Sequence, residues 1–131
     1  GPGRNALKTL SEGKARRLIK PGQVFNRIHV ADIGGATALL AGKGLGGIYN
    51  VTDDMPAPPQ DVVSEAARIM GVEPPAEIDF ETADLSPMAR SFYGENKSVS
   101  NARIKATGYT FLYPDYFAGL SGLYGDANWN G

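Results

Sequence analysis

The run DVVSEAARIMG, residues 61–71, constrains this chain most. Val62, Val63, Ala66, Ile69 and Met70 recur at helical spacing and form one apolar stripe on an otherwise polar helix, and Gly71 stands where the helix must stop. A helix of this length is stable only when its stripe is buried against other elements. The rest of the chain must therefore supply apolar faces for it.

Those faces come from short elements. Asn5 caps a helix through Leu7 and Leu10 that Gly13 ends, and ARRLI and VFNRIHV alternate like strands around KPGQ. Pro21 followed by Gly22 fits a type II turn, so the two runs are expected to form a hairpin. Asp32 then caps an Ala- and Leu-rich helix, DIGGATALLA, and IYNVT after the glycines is a strand candidate. Beyond the long helix, EIDF suggests a strand. SPMARSF has Ser86 and Pro87 at the start of a helix, NARIKA is a further helical turn, and PDYFAGLSGLY is a terminal helix. The pattern is mixed α/β with short strands and no internal repeat.

The 131 residues suffice for one domain, and the net charge of −1 offers no long-range field for nucleic acid or an anionic membrane. The absence of cysteine excludes disulfides and thiol chemistry and agrees with a cytoplasmic setting. No apolar run approaches the roughly 20 residues of a membrane span, and GPGRNALKT lacks the layout of a signal peptide. A Gly-Pro start without Met suits a chain cut from something longer.

Three stretches imitate cofactor chemistry. GKGLGG, residues 42–47, satisfies GxGxxG, but a pyrophosphate loop needs a strand leading in and a helix leading out. Here a helix precedes and a strand candidate follows, so its amides would sit at a helix C-terminus, where the dipole repels anions. GLSGLYG, residues 119–125, falls within or after the last helix and leaves only DANWNG for a following element. Tyr93 and Lys97 have the Tyr-xxx-Lys spacing, yet Gly94 and Asn96 between them break the helical turn that would put both on one face. None of the three is expected to act as it spells.

His29 is the only histidine, which leaves no triad or multi-histidine metal site, and it is expected to be a hydrogen-bonded structural residue. Asp53, Asp54, Glu81 and Asp84 lie in loops with no apolar setting to separate their pKa values. The cluster KARRLIK alternates sides and is expected to be a solvated face. Phe92 and Tyr93 are candidates for walling a small pocket.

Five stretches in order carry a resemblance: GPGRN, RIHVADI, GGIYNVTDD, SNARIKATGY and LYPDYFAGL. Together they span essentially the whole chain. It resembles the C-terminal part of an extended or atypical short-chain dehydrogenase/reductase of the NAD(P)-dependent epimerase/dehydratase kind. The resemblance implies the C-terminal portion of a Rossmann-like doubly wound fold with its small substrate-binding subdomain, residues 1–131. The dinucleotide-binding half, with the cofactor fingerprint and the catalytic Tyr-xxx-Lys, would precede Gly1. The parent would use NAD or NADP as an oxidoreductase, epimerase or dehydratase. This chain alone would hold neither cofactor nor metal and no catalytic residue.

What the resemblance leaves to this chain is substrate contact. Gly3, Arg4 and Asn5 belong to a loop that in the family lies beside the substrate cleft. Asn26 and Arg27 precede IHV, where relatives place residues that reach a small-molecule substrate, often a nucleotide sugar. Arg4 is a forked, permanently charged donor suited to phosphate or carboxylate, or equally to a surface carboxylate of its own chain. The implied partners are a phosphorylated or carboxylated substrate, the missing half, and a second copy in a homo-oligomer. In that fold IYNV would be one strand of a parallel sheet completed elsewhere, leaving Val62, Ala66 or Ile69 against solvent or another copy. The other reading is a stand-alone α/β ligand-binding or interaction module without redox chemistry.

Overall fold

The computed structural model describes all 131 residues. Helix α1 (Ala6–Ser11) begins at Asn5, whose Oδ1 accepts from Lys8 N at 3.0 Å, and Gly13 at φ +66° turns the chain out of it. Strand β1 (Arg17–Ile19) follows, then α2 (Val30–Gly42) and α3 (Pro59–Met70), and β2 (Glu77–Asp79) returns to pair with β1. The two strands are parallel, with Leu18 opposite Ile78, and form the only sheet. Three helices complete the chain: α4 (Pro87–Phe92), α5 (Ala102–Ala106) and α6 (Tyr116–Gly125). The class is α/β, as the pattern implied.

Helix α3 is the centre of the main core. Its Val62 and Ala66 meet Leu7 of α1 and Leu120 and Leu123 of α6, with Trp129 covering the edge. Gly71, at φ +66°, provides the left-handed stop that the sequence required. A second cluster of Ala36, Ile104 and Phe111 joins α2 to α5, with Tyr49, Val51 and Tyr109 packed against it.

Several expectations fail, each for a physical reason. The turn at Lys20–Gln23 forms, with Gly22 at φ +77° and Gln23 N donating to Lys20 O at 3.1 Å, but no hairpin follows. Residues 24–29 make no strand, because the partner of β1 is β2 and the side chains of Gln23 and Asn26 are bonded to the backbone of residues 95–99. Only Phe25 bridges to Ala57, antiparallel. Asp32 does not cap α2. His29 does, its Nδ1 accepting from Ala31 N at 3.1 Å, while Asp32 turns inward.

IYNV forms no strand either, since no strand of this chain runs beside it, and Ile48 is 84% exposed. The expectation that Val62, Ala66 or Ile69 would face solvent or another copy is also overturned. Val62 and Ala66 are buried within the chain and Ile69 is half-buried, because α1 and α6 close over the stripe.

The unmet apolar surface lies instead on α2. Its sequence, VADIGGATALLAG, is apolar nearly all round, and its one carboxylate is buried. Val30 and Ile33 remain 49% and 45% exposed.

Candidate substrate pocket

Neither glycine stretch leads from a strand into a helix, and the Tyr93–Lys97 pair spans no helical turn. Residues 42–47 follow the C-terminus of α2, and GLSGLYG lies within α6, where a Cβ on Gly122 would collide with the Tyr113 ring. Helix α4 ends at Phe92, so Tyr93 and Lys97 share no helical face, and Lys97 pairs with Glu95.

A cavity of about 370 Å³ lies between the N-terminal loop, residues 26–29, the loop carrying Asp53, and α6. Four of the five sequence-proposed contacts line it: Arg4, Asn5, Asn26 and Arg27. Gly3 does not, and serves instead at φ +71° with its N–H donating to Trp129 O at 3.1 Å.

The four differ in what they have free. Asn5 is spent on the fold: Oδ1 caps α1, and Nδ2 donates to Gly1 O at 2.9 Å and Trp129 O at 2.7 Å. Asn26 is also spent, since Nδ2 donates to Lys97 O at 2.7 Å and Oδ1 accepts from Val99 N at 3.2 Å. It straps the 95–99 segment to the cavity wall. Arg4 is exposed and makes no side-chain hydrogen bond or ion pair. Arg27 is partly buried, and burial draws its pKa down against the pull of Asp53. Its Nη1 donates to Phe25 O at 3.2 Å and Ala57 O at 3.0 Å, while Nε and Nη2 have no partner in the protein.

Sequence reasoning passed over Asp53. It is 5% exposed, and burial pushes its carboxyl up to about 6, against the lowering effect of a hydrogen bond from Met55 N and the Arg27 charge. The signal was unreadable because the apolar setting is assembled from distant parts of the chain. Nothing adjacent to TDD in sequence announces it.

His29 was expected to be hydrogen-bonded, and it is, while also lining the cavity. Beyond capping α2, its ring stacks on Tyr113 with centroids 3.9 Å apart. Because Nδ1 accepts, the proton resides on Nε2, which is buried without a partner. Desolvation, then the N-terminal charge, hold its pKa below the usual histidine value.

The fate of Asp32 explains how this wall is fixed. Fully buried, it accepts from Tyr109 Oη at 2.8 Å, Leu112 N at 2.8 Å and Tyr113 N at 3.0 Å, tying the loop before α6 to α2. Burial and that bond push the Tyr109 phenol up to about 12. Tyr113, so held, carries the His29 ring.

A second, open groove of about 640 Å³ runs beside α4, between Phe25, Met88 and Phe92 with Glu95 and Lys97 at its rim. Phe25 and Phe92 pack as a tilted pair with centroids 4.8 Å apart, so of the two expected wall residues Phe92 lines this groove and Tyr93 does not.

No family model and no curated protein matches this chain. Solved structures do. A functionally unknown conserved protein from Silicibacter pomeroyi DSS is 52% identical with a TM-score of 0.90, over 98% of this chain and 46% of that one. Human epimerase family protein SDR39U1 (isoform 2), determined with NADPH, is 18% identical with a TM-score of 0.75, over 90% of this chain and 41% of that one. Thermus thermophilus UDP-glucose 4-epimerase, in complex with NAD, is 20% identical with a TM-score of 0.61, over 92% of this chain and 39% of that one.

The fold is shared with part of epimerase-type proteins. The chain spans less than half the length of each of these structures. No helix here is long and apolar enough to cross a membrane, and no group of three or more potential ligands is placed to hold a metal ion.

Proposed function

We propose that this chain is the substrate-side portion of an NAD(P)-dependent oxidoreductase of the epimerase/dehydratase kind. In this reading it supplies substrate contacts, chiefly Arg4 and Arg27, and no catalytic group. NAD or NADP is held by a dinucleotide-binding portion that precedes Gly1 in the parent protein.

The observation that carries the reading is the exterior of α2. A helix apolar on every side belongs in a protein interior. Val30 and Ile33 on α2, with Ile48 and Leu112 on adjoining loops at 84% and 68% exposure, await a partner surface. The shared fold with part of two nucleotide-bound epimerase-type proteins supports a sheet-bearing portion as that partner. The closed α1–α3–α6 core favours a second reading, a stand-alone binding module, because it needs nothing from outside.

The gene upstream of Gly1 separates them. We expect a strand, a glycine loop and a helix in that order, followed by a Tyr-xxx-Lys pair on one helical face. An upstream sequence without such a unit contradicts the first reading and leaves the second.

A further inference from the structure

We propose that the cavity beside α6 is a two-point site for a small hydroxylated anion, such as a sugar acid or sugar phosphate, with Arg27 holding the anionic group and Asp53 accepting from a hydroxyl. The proposal rests on the substrate-side reading above and assigns that site its ligand chemistry.

The geometry of Arg27 is the first support. Nη1 is anchored on the carbonyls of Phe25 and Ala57, which leaves Nε and Nη2. Those two N–H groups form the side-on edge of the guanidinium, the edge that matches both oxygens of a carboxylate or phosphate. Arg27 lines the cavity, and neither atom is sealed in the interior.

Asp53 is the second support. Its Oδ1 accepts from Met55 N at 3.0 Å, and Oδ2 has no partner. An ionised carboxylate only accepts, so what it seeks from a ligand is an O–H or N–H. The obvious internal solution, an Asp53–Arg27 ion pair, is not made. Backbone pins the two residues side by side, Asp53 N donating to Arg27 O at 2.7 Å, while Arg27 Nη1 is held by the Phe25 and Ala57 carbonyls and Asp53 Oδ1 by Met55 N. A buried acid and a partly buried base are thus adjacent and unpaired, and both line one cavity. Burial raises the carboxyl pKa, as expected of a charged group left without a full set of partners.

Size limits the ligand. At about 30 Å³ per water, a 370 Å³ cavity holds about a dozen waters, and so a ligand of comparable heavy-atom count. That suits a single sugar acid or sugar phosphate better than a dinucleotide.

The test is calorimetric titration of the chain with D-gluconate, D-ribose 5-phosphate, neutral D-glucose and inorganic phosphate at pH 7.5. The two hydroxylated anions should bind at least tenfold more tightly than glucose or phosphate. D53N should weaken gluconate about tenfold or more and leave phosphate unchanged, whereas R27K should weaken both anions. Failure of both hydroxylated anions to bind, equal binding of phosphate and gluconate, or an unaffected D53N would each overturn the proposal. Should D53N not fold, carbon-13 NMR of the wild-type Asp53 carboxyl replaces it: gluconate must move its titration midpoint, and an unmoved midpoint overturns the proposal. Gluconate binding without an upstream dinucleotide unit would sink the substrate-side reading alone, and an upstream unit without gluconate binding would sink this proposal alone.

Discussion

Asp53 gives the most discriminating stability prediction. Its carboxyl is raised from 3.8 to about 6 chiefly by burial, with Arg27 lowering it and Asp115 and Asp54 raising it. The folded state therefore holds a proton that the unfolded state releases between about pH 4 and 6. Stability falls as pH rises through that window, and above it the ionised carboxylate remains as a burden on the fold. A shift of roughly two units corresponds to at most about 3 kcal/mol at 1.36 kcal/mol per unit. Water entering the cavity mouth screens the charge and trims that figure. The D53N amide keeps an oxygen to accept from Met55 N but never ionises. It should therefore stabilise the protein by about 1–2 kcal/mol at pH 7.5, or roughly 4 °C in Tm per kcal/mol for a domain of this size. At pH 4 the gain should vanish, because wild-type Asp53 is then protonated. Urea unfolding of both proteins at pH 4, 5.5 and 7.5 measures this directly. A D53N variant that is less stable than wild type at pH 7.5, or equally stabilised at both extremes, would refute the reasoning. A residue that weakens the fold while facing a cavity is the pattern expected of a group retained for binding.

The buried Asp32 should behave oppositely: D32A strands Tyr109 Oη and two backbone N–H groups and should cost about 3–5 kcal/mol in the same unfolding assay. The Tyr109 phenol owes its raised pKa first to burial and then to this carboxylate, so D32N should bring its ultraviolet titration down from about 12 toward the ordinary tyrosine value. G35A should lose about 1–3 kcal/mol, since the new Cβ would lie 2.5 Å from Tyr109 Oη. Burial, not a hydrogen bond through its hydroxyl, is what raises the Tyr93 pKa. Y93F in a full-length parent should therefore leave turnover within a few fold, and a thousandfold fall, about 4 kcal/mol of barrier, would mean that it is catalytic after all.

The sequence disclosed those elements whose signals are local. Asn5 and Ser86 each cap the helix that follows, Gly71 stops α3, and the apolar stripe of α3 faces the core as its periodicity demanded. What failed depended on partners distant in the chain. VFNRIHV alternates like a strand, but a strand exists only through its neighbour, and β2 lies 60 residues from β1 in register, Arg17 against Glu77. Asp32 sits where a cap belongs, yet His29 three residues earlier takes that role and frees the carboxylate for Tyr109. The pocket was half legible. Arg27 carried a charge visible in the sequence, whereas the burial of Asp53 is created only when residues 25–27 pair with residues 53–57.

Cofactor titration tests the central claim most directly. NADPH and NADH are titrated, with fluorescence and calorimetric readouts, into this chain alone and into the same chain joined to whatever its gene encodes upstream of Gly1. No glycine loop here has strand-to-helix polarity, so the chain alone should show no saturable binding. The joined protein should bind one of the two below about 100 μM, roughly −5.5 kcal/mol. Saturable binding of that strength by the chain alone, or its absence from the joined protein, would contradict the account.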